Sequence, residues 1–83
     1  MKIVISNVPD EVTKEDVKKI FADQGLMVEA QMAMADVRIC DVLIKGVDRA
    51  GAEAIAEEFL VHHRYWKGKT IAVDVPIYAQ PPT

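Results

Sequence analysis

The sequence has a single cysteine, Cys40, so neither an internal disulfide framework nor a cysteine-built zinc site is available. That economy suits a reducing compartment. No apolar run approaches the ~18 residues of a membrane span, and the stretch after Met1-Lys2 is too short for a secretory leader, so no membrane partner is expected. The cationic excess of a domain that grips nucleic acid by bulk charge is also missing: 10 Lys and Arg stand against 13 Asp and Glu, a net −3. Any nucleic-acid contact must rest on local patches or on shape. Glycine and proline are scarce, at 4 each, which leaves no low-complexity tract. No nucleophile–base pair or phosphate loop is visible, and His62-His63 lack a third ligand at metal spacing, so no enzyme, metal or cofactor is expected. What is present, 83 residues with 51% hydrophobic, suffices for one small core and not two.

Lys2 to Ser6 is short and β-branched, and Asn7-Val8-Pro9-Asp10 reads as the turn that ends it. Thr13 is then the N-cap of a first helix, with Asp16 three residues on in the capping-box position and Val12 placed to staple onto Val17. Val17, Ile20 and Phe21 share a face, while Lys14, Lys18, Lys19 and Asp23 lie opposite, and Gly25 is the C′ stop. Leu26 to Met34 and Val37 to Lys45 read as a hairpin joined at Ala35-Asp36, with Cys40, Val42 and Ile44 on one side of the second strand and Ile39, Asp41 and Leu43 on the other. Met27, Met32 and Met34 read as core filler. Asp48 caps a second helix in which Ala52, Ile55, Ala56 and Phe59 keep helical spacing. His62 to Lys69 is a polar, aromatic connection, and Thr70 to Val75 is a closing strand with Ile71, Val73 and Val75 inward. Pro76 marks the exit from the sheet, so the domain is residues 1–76 and residues 77–83, with Pro81-Pro82, form a tail.

The order β-α-β-β-α-β, with right-handed crossovers, predicts an α+β ferredoxin-like sandwich: a four-stranded antiparallel sheet in order 4-1-3-2 with both helices on one face. The other face is left for recognition.

Four stretches in order resemble the RNA recognition motif (RRM) family. Ile3-Val4-Ile5-Ser6-Asn7-Val8-Pro9 looks like its strand-1 motif, and Val37 to Ile44 occupies the place of its strand-3 motif. Ala52-Glu53-Ala54-Ile55 matches its helix-2 pattern, and Trp66-Lys67-Gly68-Lys69-Thr70-Ile71 its turn into the last strand. The likeness covers Lys2 to Val75. Ser6-Asn7, Cys40-Asp41-Val42 and Ala50 to Ile55 are similar in character to the RRM of Aly/REF-type mRNA-export adaptors and their SKAR-like relatives. The resemblance implies a monomeric nuclear module of mRNA processing or export, with shuttling to the cytoplasm as an option, that holds single-stranded RNA weakly and contacts proteins. It also implies RNA-facing positions at Lys2, Val4, Ser6, Ile39, Asp41 and Leu43 on the sheet. Read from the residues themselves, Arg64, Lys67 and Lys69, with Lys45 as a further member, are the one basic cluster expected to touch phosphates, and His62 and His63 adjoin it. At Val4, Ile39 and Asp41 the family's stacking aromatics are missing. Base–aromatic stacking is worth about 1–3 kcal/mol per base, and the Asp41 carboxylate repels phosphate, so affinity across the sheet is expected to be low.

Two further readings stay open. Some splicing-factor RRMs read a tryptophan-containing peptide through an Arg-X-Phe triplet aided by acidic residues of helix 1, and Arg64-Tyr65-Trp66 with Glu15, Asp16 and Asp23 is similar. Trp66 equally suits a core-closing position before the Gly-Lys turn. The second alternative is a small ferredoxin-like enzyme, since acylphosphatase-like enzymes share the layout, although layout is no warrant for activity.

Overall fold

The structure is a computed structural model that describes residues 1–76; the expected tail and its prolines lie outside the described residues. The elements are β1 (Lys2–Ser6), α1 (Lys14–Ala22), β2 (Val28–Met34), β3 (Arg38–Ile44), α2 (Arg49–His63), β4 (Tyr65–Trp66), β5 (Lys69–Thr70) and β6 (Ala72–Asp74). This is a small α+β fold with a four-stranded antiparallel sheet, ordered β2-β3-β1-β6, and two helices. The expected order 4-1-3-2 changes in detail, because the strand beside β1 is the sixth of the chain. The polar connection expected at His62 to Lys69 is instead the end of α2 followed by a separate β4-β5 hairpin. Lys67 at φ 50 and Gly68 at φ 86 form its two-residue turn, the left-handed pair that fits hairpin twist.

Helix boundaries follow from side-chain chemistry. The Thr13 hydroxyl accepts from the Asp16 N–H (3.2 Å) while the Asp16 carboxylate accepts from the Thr13 N–H (3.0 Å), so two donors of the first turn are satisfied reciprocally. At the other end Gly25, at φ 80, donates to Ala22 O (2.9 Å) and Leu26 donates to Phe21 O (3.0 Å), the bond pair of a Schellman close. Asp48 caps α2 by accepting from the Gly51 N–H at 2.8 Å. A Cβ at Gly51 would lie 2.8 Å from Val47 Cγ1, so any side chain there would have to displace Val47.

One face of the sheet carries the core. Ile3 and Ile5 of β1, Val28 and Ala30 of β2, and Cys40, Val42 and Ile44 of β3 are buried in one cluster with Val17, Phe21, Ala52, Ala56 and Phe59 of the helices. Ile71 and Val75 join it, with Ile55 and Val73 half-buried at its margin. At about 25 cal/mol per Å², each large aliphatic or aromatic side chain closed off this way stabilises the fold by about 1.5–3 kcal/mol. The methionines divide. Met32 packs on the core, but Met27 is 82% and Met34 70% exposed, against the expectation of core filler. Met34 ends the edge strand β2 and Met27 immediately precedes it, and neither is covered by a neighbouring element.

Candidate recognition surfaces

Strand register fixes which residues share the open face. Its rows are Lys2, Leu43 and Glu29; then Asp74, Val4, Asp41 and Gln31; then Ala72, Ser6, Ile39 and Ala33. All six sheet positions from β1 and β3 implied by the RRM resemblance therefore lie together. None of the positions in these rows holds an aromatic ring, and one lysine faces three carboxylates. Lys2 is moreover engaged, its Nζ 3.4 Å from the Asp41 carboxylate. A phosphate arriving at the centre of this face would meet Asp41 and Asp74 on either side of Val4, a repulsive potential in place of the usual cationic one.

The expected basic cluster is only partly assembled. Arg64, Lys67 and Lys69 are exposed around the β4-β5 hairpin. The hairpin belongs to the Ser6 end of β1, where the Asn7 side-chain amide donates to Thr70 O at 2.9 Å; Asn7 takes a φ of 64, a conformation that asparagine tolerates better than most residues. Lys45 follows Ile44, which bonds with Met1 at the opposite end of that strand. Lys45 thus stands a full strand length from the hairpin cations and is not part of their cluster. The adjoining histidines are also committed: His62 Nε2 pairs with the Glu58 carboxylate at 2.9 Å, and the His63 ring stacks on Phe59 at 4.5 Å.

The proposed peptide set is divided between two grooves. One, of about 430 Å³, lies between α1 and the hairpin and brings Glu11, Asp16 and Asp23 beside Trp66, with Ile20 on its wall. Glu15 lines a different groove, of about 560 Å³, where α1 meets β2. Arg64 and Tyr65 line neither, and Tyr65 points into solvent at 76% exposure. Trp66 is half-buried and meets Phe59 edge-on at 5.6 Å, so it closes one end of the core. It also faces the groove between α1 and the hairpin, whose lining sets Lys19 and Lys67 beside the three carboxylates.

Two residues that sequence reasoning passed over organise these surfaces. Arg38, at the start of β3, donates from Nη1 to the carbonyls of Pro9 and Val12, fastening the turn that precedes α1. Arg49 donates to Val75 O (3.3 Å) and Pro76 O (3.4 Å), holding the chain's exit from the sheet against α2. Neither has a spacing signal, because each bridges segments 26 to 29 positions apart. The Cys40 thiol is fully buried, and burial, reinforced by the Asp41 carboxylate, pushes its pKa up to about 11, which makes it a poor nucleophile at neutral pH. Among the described residues no three His, Cys, Asp or Glu side chains gather as a metal set, and no helix is long and apolar enough to cross a membrane. Scanned against protein-family models the chain matches none, and no curated protein aligns with it significantly.

Proposed function

We propose that the chain is an RRM-like, ferredoxin-like β-α-β-β-α-β module of ribonucleoprotein machinery, non-enzymatic, that works mainly through protein contacts and touches single-stranded RNA weakly. The carrying observation is the open face: the strand positions that stack bases in the resembling family hold Val4, Ile39 and Asp41, flanked by Glu29 and Asp74. RNA contact then falls to the exposed cations of the hairpin, Arg64, Lys67 and Lys69, and is electrostatic. Titration with short single-stranded RNA, followed residue by residue by NMR, tests this. Weak shifts confined to residues 64–69, fading as salt rises, are expected; a submicromolar, salt-insensitive complex centred on Val4, Ile39 and Asp41 would overturn the reading.

A second reading, recognition of a tryptophan-bearing basic peptide, has one observation in its favour: the groove that sets Glu11, Asp16 and Asp23 beside Trp66. It ranks second because Arg64 and Tyr65 lie outside that groove and the Trp66 ring already packs on Phe59. Micromolar binding of such a peptide, lost on Glu11→Lys with the amide spectrum of the free chain otherwise unchanged, would reverse the ranking.

A further inference from the structure

β2 is an edge strand of seven residues, and no described segment pairs with its outer side. Edge strands that avoid association are short, or carry proline, lysine or a bulge. β2 has none of these; its one charge is Glu29, and it pairs with β3 without interruption from Val28 to Met34. The opposite edge, β6, has three residues and ends beside Arg49 and Pro76.

The two ends of β2 are complementary. On the helix side of the sheet the strand presents Val28, Ala30, Met32 and Met34 in alternation, and Met34 projects with 70% of its surface open. At the other end of the strand, Ala22, Leu26, Met27 and Val28 form the apolar part of the 560 Å³ groove between α1 and β2, which the side chains of Glu15, Lys18, Lys19, Glu29 and Lys45 also line. A knob and a hollow on one strand, six residues apart and on one face, are the arrangement a two-fold axis satisfies: each copy's knob enters the other's hollow.

We propose that β2 pairs antiparallel with β2 of a second copy of this chain, about a two-fold axis through Gln31. That register maps all seven residues onto each other. It sets Met34 of each chain opposite Val28 of its partner, over the hollow, and Ala30 opposite Met32. On the open face Glu29 lies opposite Ala33, so no like charges meet across the seam. The result is a continuous eight-stranded sheet. A seam of two seven-residue strands is a small interface, and the dimer is accordingly concentration-dependent, not permanent.

Ala33 is exposed on the open face and is the register-specific handle. Sedimentation equilibrium of the unmodified chain is expected to show a monomer–dimer equilibrium. Ala33→Lys, which creates two lysine–Glu29 pairs per dimer, should tighten it by about threefold or more, and Ala33→Glu should loosen it by a similar factor. In a sample mixing labelled and unlabelled unmodified chains, intermolecular NMR contacts should join Ala33 to Glu29. A chain that stays monomeric at about 1 mM overturns the proposal. So does a dimer indifferent to the Ala33 charge, or one whose intermolecular contacts fall on β6 or the helices.

Discussion

On β3, Cys40, Val42 and Ile44 are at most 2% exposed beneath the helices, while Ile39, Asp41 and Leu43, one residue out of step, face the other way. β1 repeats the pattern: Ile3 and Ile5 are closed off, and Lys2, Val4 and Ser6 are half-open. The covered side is filled by large aliphatic side chains and by Phe21 and Phe59, stacked at 5.3 Å. The open side is small, mixed and net acidic. Alternate residues of the same strands thus build the core and the open face, and each side can be altered without touching the other.

The largest expected effect tests the covered side. Phe59 stacks on Phe21 and His63 and meets the edge of Trp66, so Phe59→Ala leaves a cavity among three rings and should cost about 3–5 kcal/mol in chemical denaturation. A loss under about 1 kcal/mol would mean that α2 is not the lid of this core.

Next in size is a pH effect on the same side. Burial raises the Cys40 thiol from 9.0 to about 11, so the folded chain keeps a proton that the unfolded chain gives up. The stabilisation is therefore present in full below pH 9.0 and is lost as pH rises through about 11, amounting to roughly 2–3 kcal/mol across that window. Other groups titrate there too, so the measurement is the difference in melting between the unmodified chain and Cys40→Ala. The two curves should converge between those limits, and parallel curves would place the thiol in contact with solvent.

The remaining predictions address the open side. Ile39→Phe with Asp41→Tyr supplies rings at two adjacent rows and removes a carboxylate; single-stranded RNA should then bind about tenfold more tightly, measured by fluorescence anisotropy, with the melting point little changed. No gain would mean that these positions do not stack bases. Smallest of all, Asp41→Asn breaks the pair with Lys2, a partly exposed ion pair, and should shift stability by less than about 1 kcal/mol. A larger loss would show that the open face holds the fold together after all.

Features that depend on neighbours in sequence were legible. The Thr13–Asp16 box, the Gly25 stop, the Asp48 cap and the phase of Cys40, Val42 and Ile44 are all local, governed by bonds spanning a few residues or by the pleat. The β4-β5 hairpin escaped because two-residue strands have no periodicity; only Lys67-Gly68 hinted at it, and that pair was read as a turn into the last strand. Exposure of Met27 and Met34 escaped because alternation tells which face a residue takes, not whether anything covers it. The sheet positions of the site came out together because pairing register follows from the hydrophobic phase. Lys45 and Glu15 were misplaced because their neighbours come from segments distant in the chain, which no spacing encodes.

β1 is one of the two inner strands of the sheet, yet it precedes the other three in sequence: Val4 pairs with Asp41 on one side and with Asp74 on the other. During synthesis at about 5–20 residues per second, several seconds separate the appearance of this strand from that of its last partner. Until then its outer side is an open template, and the nascent chain has nothing native to close it with. The four-stranded sheet is therefore complete only once β6 has been translated, when the two strands most distant in sequence pair. A chain cut before Ala72 would carry this exposed inner strand permanently, and would be a substrate for chaperones or for aggregation more than a smaller version of the same domain.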